Sequence, residues 1–241
     1  MIGEGLRLRG KVGLIVPSSQ TITEPLYYRI APAGVAFFTS RILVRGGVMA
    51  DHANMEREAF RAAKELSMAG VDCIAYCCTV SGIIQGIEGD REFRARMKRE
   101  TGIPVISTLS AVFEGLEALR LKNLVLISPY RESTHAAEEK FFKANGFQIL
   151  RSRSMCLDPG IKYSSVTPDE IYRFCRENWD ERAEGIFISC MNFNAMPCIG
   201  ALEKDLGKPI LSSHSATLWK ILKMIRLQEP IIGYGGLLAE E

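Results

Sequence analysis

The chain has 241 residues, 47% hydrophobic and 24% charged, and its 30 basic and 28 acidic side chains leave a net charge of +2. That balance, interspersed along the chain, gives no electrostatic case for a nucleic-acid or anionic-membrane partner, and no apolar run approaches the roughly 18 residues that span a bilayer. Seven cysteines form an odd set without a C-x-x-C pair, and the three histidines are scattered, so neither a disulfide framework nor a metal site is expected.

Met1 to Arg7 lacks an apolar signal core and passes directly into a strand pattern, which predicts a cytoplasmic protein. Lys11 to Val16 reads as a buried strand ending at Pro17, and Ser18-Ser19-Gln20-Thr21 as a capping turn before a helix near Glu24-Pro25. Val35 to Val44 is a second strand. Arg45-Gly46-Gly47 matches no phosphate-binding glycine pattern and reads as a turn or mobile loop over the cleft. Asp51 to Ala69 is a helix closed by Gly70, Asp72 to Cys77 a third strand, Asp90 to Glu100 a charge-dense solvated helix, and Pro104 to Ser107 a fourth strand. The second half repeats the alternation. Helix Ser110 to Leu119, strand Asn123 to Ser128, helix Ser133 to Asn145 and strand Phe147 to Ser154 precede a loop over Cys156 to Tyr163. A helix opened by Thr167-Pro168, strand Gly185 to Ser189, helix Met196 to Leu206, strand Pro209 to Leu211 and a helix over Ser215 to Met224 complete it.

Strand and helix alternate throughout, which predicts an α/β protein with parallel sheets covered on both faces. Three landmark pairs suggest one βα series used twice. Cys78 and Cys190 lie 112 positions apart, as do Pro17 and Pro129, and Ile103-Pro104-Val105-Ile106-Ser107 is matched 105 positions later by Lys208-Pro209-Ile210-Leu211-Ser212. No Pro/Gly/Ser linker divides the halves. Two closely packed Rossmann-like domains related by a pseudo-two-fold axis are therefore expected, residues 1–107 plus 214–241 and residues 108–213, with the chain crossing near Thr108 and Ser213.

Free cysteine is often simply packed, and that reading suffices for Cys73, Cys77, Cys156, Cys175 and Cys198. Cys73 and Cys77 are an even step apart on one strand and share a face. Cys78 differs, because it falls at a strand end and is followed by Thr79, Ser81 and Gly82, whose hydroxyl and N–H groups favour a thiolate. Cys190 has Ser189 and Asn192 beside it. Related by a pseudo-dyad, the two thiols face each other across the inter-domain cleft, one for each face of a small substrate.

Four motifs, Val16-Pro17-Ser18-Ser19 leading to Glu24-Pro25, Ala75-Tyr76-x-Cys78-Thr79, Ser128-Pro129-Tyr130 and Ile188-Ser189-Cys190-x-Asn192, occur in order over nearly the whole chain. In them the sequence resembles maleate cis-trans isomerases, which with arylmalonate decarboxylases belong to the aspartate/glutamate racemase superfamily. The resemblance implies an active site between two domains, no metal and no organic cofactor, with Cys78 and Cys190 as the catalytic pair. It implies that Cys78 adds to the alkene, that rotation follows and that elimination releases the trans acid. Ser18, Ser19, Thr79, Tyr130 and Asn192 match positions that hold substrate carboxylates. Gln20 stands where the family usually has Asn, Met191 where Thr commonly follows the second cysteine, and His214 where an amide is expected. Gln20 and His214 complete the candidate substrate-binding set, although His214 alone also suits a structural, hydrogen-bonded role.

The expected function is a cofactor-independent isomerase acting on a small carboxylate or dicarboxylate. Arylmalonate-type decarboxylation or a related racemase is the nearest rival, and a non-enzymatic small-acid binding protein stands in a different class. A symmetric homo-oligomer is the default assembly. Between the thiols, Cys78 at a helix N-terminus is expected to carry the lower pKa and act as nucleophile, and Cys190 to hold the proton.

Overall fold

The computed structural model describes residues 7–45 and 47–239. Gly46 of the expected turn, and the first six and last two residues of the expected first domain, lie outside the described residues.

A first series runs β1 (Gly10–Pro17), α1 (Thr23–Ile30), β2 (Val35–Ile42), α2 (Val48–Met68), β3 (Cys73–Tyr76), α3 (Thr79–Thr101) and β4 (Val105–Ser107). Helix α4 (Thr108–Ala118) leads into β5 (Asn123–Ser128), α5 (Glu132–Ala144), β6 (Gln148–Ser154), α6 (Ile161–Ser164), α7 (Pro168–Glu177), β7 (Gly185–Ile188), α8 (Met196–Leu206) and β8 (Ile210–Ser212). Helices α9 (Ser213–Met224) and α10 (Gly236–Ala239) follow. The strands form two four-stranded sheets, ordered β2-β1-β3-β4 and β6-β5-β7-β8, with every pairing parallel. The two orders are the same order used twice, as the equal offsets predict.

This topology fixes where a site can be. In each sheet the chain moves outward from the first strand to its edge and then returns to the other side, so the order reverses between β1 and β3 and again between β5 and β7. A crevice opens at the carboxyl ends of strands at such a reversal. Pro17 and Cys78 mark one reversal, and Pro129 and Cys190 mark the other.

One apolar cluster joins the two sheets, running from Val12, Tyr27, Ala75 and Cys77 to Val125, Ile186, Ile188 and Leu218. Cys73 and Cys77 both point into it, as their even spacing predicts. Ile15, Met55, Phe60, Tyr76 and Phe93 fill the outer face of the first sheet, and Leu124, Phe142, Phe187 and Leu211 that of the second. Helices α4 and α9 both open on a serine capping box, Ser107 with Ser110 and Ser212 with Ser215. These boxes satisfy the first amides of the two helices that carry the chain across the join. The two helices pack on each other and on the sheet ends.

The structure departs from the sequence reading at α3. Its first turns begin at Thr79, eleven residues before the expected start, and Gly86 at φ 73° breaks the helix between its two parts. Glycine lowers helix propensity by about 1 kcal/mol, and Gly82, Gly86 and Gly89 together hid this stretch. Tertiary contact overrides the propensity: a Cβ on Gly82 would stand 2.5 Å from the Leu109 Cβ of α4. Likewise α2 begins at Val48, with a kink at Asp51, and the segment read as a loop contains the short α6.

The close approach at Gly82 yields a prediction. Gly82→Ala, which should favour an isolated helix, is expected to destabilise this protein by about 1–3 kcal/mol because the methyl group must displace Leu109. Urea unfolding measures it, and an unchanged or raised midpoint would show that α3 and α4 yield freely.

Candidate active site

Cys78 follows β3 and is the N-cap of α3, with an extended backbone and 4% exposure. The geometry falls short of a formed cap hydrogen bond, yet the Ser81 and Val80 amides favour its charged form. Burial outweighs them and pushes the thiol up to about 11. The helix N-terminus therefore moderates the pKa without bringing it below the ordinary value, contrary to the sequence expectation.

Cys190 follows β7 and is 7% exposed, with a backbone φ of 100°. For a residue with a Cβ that conformation costs of order 1–3 kcal/mol and persists only where its surroundings enforce it. They do so here: the Cys190 amide donates to Ser213 Oγ at 3.1 Å, and the Asn192 amide donates to the Cys190 sulfur at 3.3 Å. Burial pushes this thiol up to about 12, against the pull of the Asn192 amide and the Tyr130 hydroxyl; nearby Cys78 and Glu138 push it further. Cys190 thus resists ionising beside a charged Cys78.

Both sulfurs open on one cavity of about 280 Å³, a volume suited to a small molecule. The first half contributes Pro17, Ser19, Gln20, Cys78, Thr79 and Val80 to its wall, and the second contributes Tyr130, Arg131, Ser133, Thr134, Cys190, Met191 and Asn192. Val44, residues 47–50, Pro159, Gly160 and Tyr163 complete the lining, and a Cβ on Gly47 would stand 3.8 Å from the Pro159 Cγ, so the two segments meet at the cavity. The lining cation is Arg131, and it is already paired with Asp158. What the wall offers an anion is instead neutral hydroxyls and the N-terminal turns of two helices, α3 at Cys78–Thr79 and α5 at Ser133–Thr134. Helix N-termini bind anions through free amides and the aligned peptide dipoles.

The remaining expected site residues divide by location. Ser19, Thr79 and Tyr130 reach the cavity. Thr79 Oγ1 lies 3.0 Å from Ser213 Oγ, so a hydroxyl bridge links the Cys78 turn to the Cys190 amide. Ser18 is exposed, and its hydroxyl accepts from the Val44 amide. Gln20 touches the cavity, but its amide donates to the Cys77 carbonyl at 2.6 Å and its oxygen accepts from Thr23 at 2.8 Å. Asn192 also spends its amide on backbone, accepting from Thr21 N–H at 2.8 Å and donating to the Ser19 and Gly160 carbonyls. His214 is fully buried behind the wall, 3.3 Å from Thr23 Oγ1. Burial drives its pKa down to about 3 and keeps it neutral, consistent with a structural role.

Sequence reasoning did not find Ser133, Thr134, Ser213 or Glu138. The first two sit just after the Pro129-Tyr130 landmark and follow from the repeat, since the matching turn after Pro17 also lines the site. Glu138 had a fainter signal, a carboxyl one helical turn after His135 on a face that the fold buries.

Two parallel-sheet halves with one cavity at both reversals, and a thiol from each half in its wall, define a two-domain α/β enzyme. The chain belongs to the arylmalonate decarboxylase family, whose model matches residues 12–238. A maleate isomerase of Geobacillus stearothermophilus is 28% identical over 243 residues, covering 95% of this chain and 97% of that protein. Among solved structures, the maleate isomerase of Pseudomonas putida S16 with maleate superposes at a TM-score of 0.89, with 24% identity over 95% of this chain and 97% of the other. A mutant Nocardia farcinica maleate cis-trans isomerase with a covalently bound succinylcysteine intermediate gives 0.88, at 22% identity over 96% and 99%.

The difference between the thiols is testable without a substrate. One pH unit in pKa is tenfold in thiolate fraction, partly offset by the lower nucleophilicity of the more acidic thiol. Iodoacetamide at neutral pH is expected to label Cys78 several-fold faster than Cys190, read by peptide mass spectrometry; faster labelling of Cys190 reverses their roles. The strain at Cys190 gives a second expectation: Cys190→Gly should be about 1 kcal/mol more stable than Cys190→Ala, because only glycine takes a positive φ without cost. Equal unfolding midpoints would remove the strain argument.

Proposed function

We infer that the protein is a cofactor-independent cis-trans isomerase of a small unsaturated dicarboxylate of the maleate type. The observation that carries this reading is the pair of buried thiols, delivered by equivalent strand ends to opposite halves of one small cavity whose donors, apart from the Asp158-paired Arg131, are neutral. The resemblance to maleate isomerases over nearly the full length of both chains supports it.

The chemistry follows from the charge balance. Cys78 as thiolate forms a C–S bond to one alkene carbon, and the π electrons pass to the adjacent carbon, which takes the proton of the Cys190 thiol. One negative charge thus moves from one sulfur to the other, and two thiolates are never required together. The former double bond is now single and rotates. Cys190 then recovers the proton, the C–S bond breaks, and the trans acid leaves with Cys78 again a thiolate. The N-terminal turns of α3 and α5, with the hydroxyls of Ser19, Thr79, Ser133 and Thr134, hold the carboxylates and stabilise charge on them as it develops. A pKa of about 11 for Cys78 means that ionising it at pH 7 costs roughly 5 kcal/mol, at 1.36 kcal/mol per unit. The reacting thiolate is therefore a minor form in the free protein.

The family's own decarboxylation is the second reading, favoured by the matched family model; there Cys190 would protonate the enediolate left by CO₂, and Cys78 would have no covalent task. A reduced, cytoplasmic setting belongs to the same picture, supported by seven free cysteines of which Cys156 alone is exposed.

Proton NMR of maleate with the protein decides between them. Conversion to fumarate is expected, abolished in Cys78→Ser and slowed about 10²–10⁴-fold in Cys190→Ser, the range for loss of a proton-transfer group. Full activity in Cys78→Ser, or CO₂ release from a disubstituted malonate with no isomerisation, would sink the isomerase.

A further inference from the structure

Beneath Cys190 lies a carboxyl group that the mechanism above does not use. Glu138 of α5 is fully buried, and Ser189 Oγ lies 2.5 Å from its Oε1. Its Oε2 is buried with no hydrogen-bond partner among the described residues, and no ion pair holds the group. The same Ser189 hydroxyl is 3.3 Å from Tyr130 Oη. Tyr130 is 3% exposed, lines the cavity, and its hydroxyl bears on the Cys190 sulfur. A buried hydrogen-bonded chain thus runs from Glu138 through Ser189 to Tyr130, whose ring lines the same cavity as Cys190 and whose hydroxyl pulls that thiol down.

We propose that Glu138 is a positioning residue for Cys190: through Ser189 it sets the direction of the Tyr130 O–H, and so decides whether that hydrogen is offered to the sulfur. A serine hydroxyl has one hydrogen to give. When Glu138 is a carboxylic acid, it donates to Ser189 Oγ, Ser189 donates to Tyr130 Oη, and the Tyr130 hydrogen is left for Cys190. When Glu138 is a carboxylate, it must accept from Ser189; Ser189 then accepts from Tyr130, and the phenol hydrogen turns away from the sulfur. The acid form also leaves a carbonyl rather than a charged oxygen without a partner, which is the cheaper arrangement in a buried site.

Burial raises Glu138 to about 8, with Ser189 the lone opposing influence, so the donating direction prevails at neutral pH. The titratable groups coupled to it are Tyr130, from the β5–α5 turn, and Cys190, at the end of β7, both raised well clear of that range. No charge from α3 or β6, which pack on α5, contributes to its shift. On its own helix His135 is lowered by burial and bonds to Ser128 and Ser152, and Glu139 pairs with Lys143 and is lowered.

The proposal rests on Cys190 as the proton-carrying thiol, and its test needs no substrate. In a Cys78→Ser background, the rate of Cys190 alkylation by iodoacetamide is followed from pH 6 to 9.5 by peptide mass spectrometry. With Glu138 present the rate should rise tenfold per pH unit and flatten near pH 8, where the Tyr130 donor is lost and a negative charge appears. In Glu138→Gln, whose amide donates to Ser189 at every pH, the rise should continue unbroken. Glu138→Met should also lack the break and label several-fold more slowly than Glu138→Gln at pH 7, because methionine gives Ser189 no donor. A straight line in the parent, a break that survives in Glu138→Gln, or equal rates for the Gln and Met variants would overturn the proposal. Maleate turnover by the otherwise unchanged protein is measured alongside. A break that depends on Glu138 with no turnover refutes the isomerase reading alone, whereas turnover with a break independent of Glu138 refutes this proposal alone.

Discussion

The site depends on one side-chain amide. Asn192 accepts from Thr21 N–H and donates to the carbonyls of Ser19 and Gly160, while its backbone N–H reaches the Cys190 sulfur. Two loops that share no strand, the one after β1 and the segment beside α6, are thereby held to the β7 turn that carries the second thiol. The bonds are largely sheltered from water, where an amide left unpaired costs about 1–3 kcal/mol, so the loops are fixed as a set. Gln20 and Thr23 continue the seam to the Cys77 and Met191 carbonyls and to His214. Substrate would enter a frame whose polar groups are already engaged with one another, which leaves the hydroxyls and helix ends as the groups free to meet it.

That frame explains a chemical economy. A dicarboxylate could be held by arginines, but fixed cations beside the thiols would make both of them acidic, and the reaction needs one proton retained. Neutral donors stabilise charge that appears during the reaction without forcing either thiol to ionise beforehand. Burial is the main influence that raises Cys78 and Cys190, and their proximity makes the second ionisation harder than the first. The α3 N-terminus breaks the tie in favour of Cys78, and the strained backbone at Cys190 aims the other sulfur. The repeated topology supplies two equivalent positions, and small local differences make them chemically unequal.

The repeated parallel βα series and the placement of both thiols at strand ends were legible because strand ends carry strong local signals: a proline, a thiol, then hydroxyls and glycine. The repeat spacing turned those signals into a topology. Helix limits were legible where caps were written in sequence, as at Thr167-Pro168, whose capping box forms as read. The start of α3 was not, because Gly82 is required by the approach of Leu109, a contact from 27 positions away that no local window contains. His214 and Gln20 show the same limit at the site. Their chemistry suggested contact with substrate, but whether a polar side chain faces a cavity or the backbone behind it is settled by the packing of the opposite half. Glu138 drew no notice in the sequence, because only the fold shows that its face of α5 is buried.

The bonds that complete the site also join the most distant parts of the chain. Thr21 and Asn192 are 171 positions apart, and Tyr27 bonds the His214 carbonyl across 187. Each sheet, by contrast, closes within its own half. Loop closure over such separations is entropically costly and tends to come late, and on a ribosome it cannot occur until α9 has emerged. During synthesis, then, a folded first half carries Cys78 without the opposite wall of the cavity and without Cys190. The arrangement that sets Cys78 and Cys190 on one cavity therefore exists only once the second half has docked.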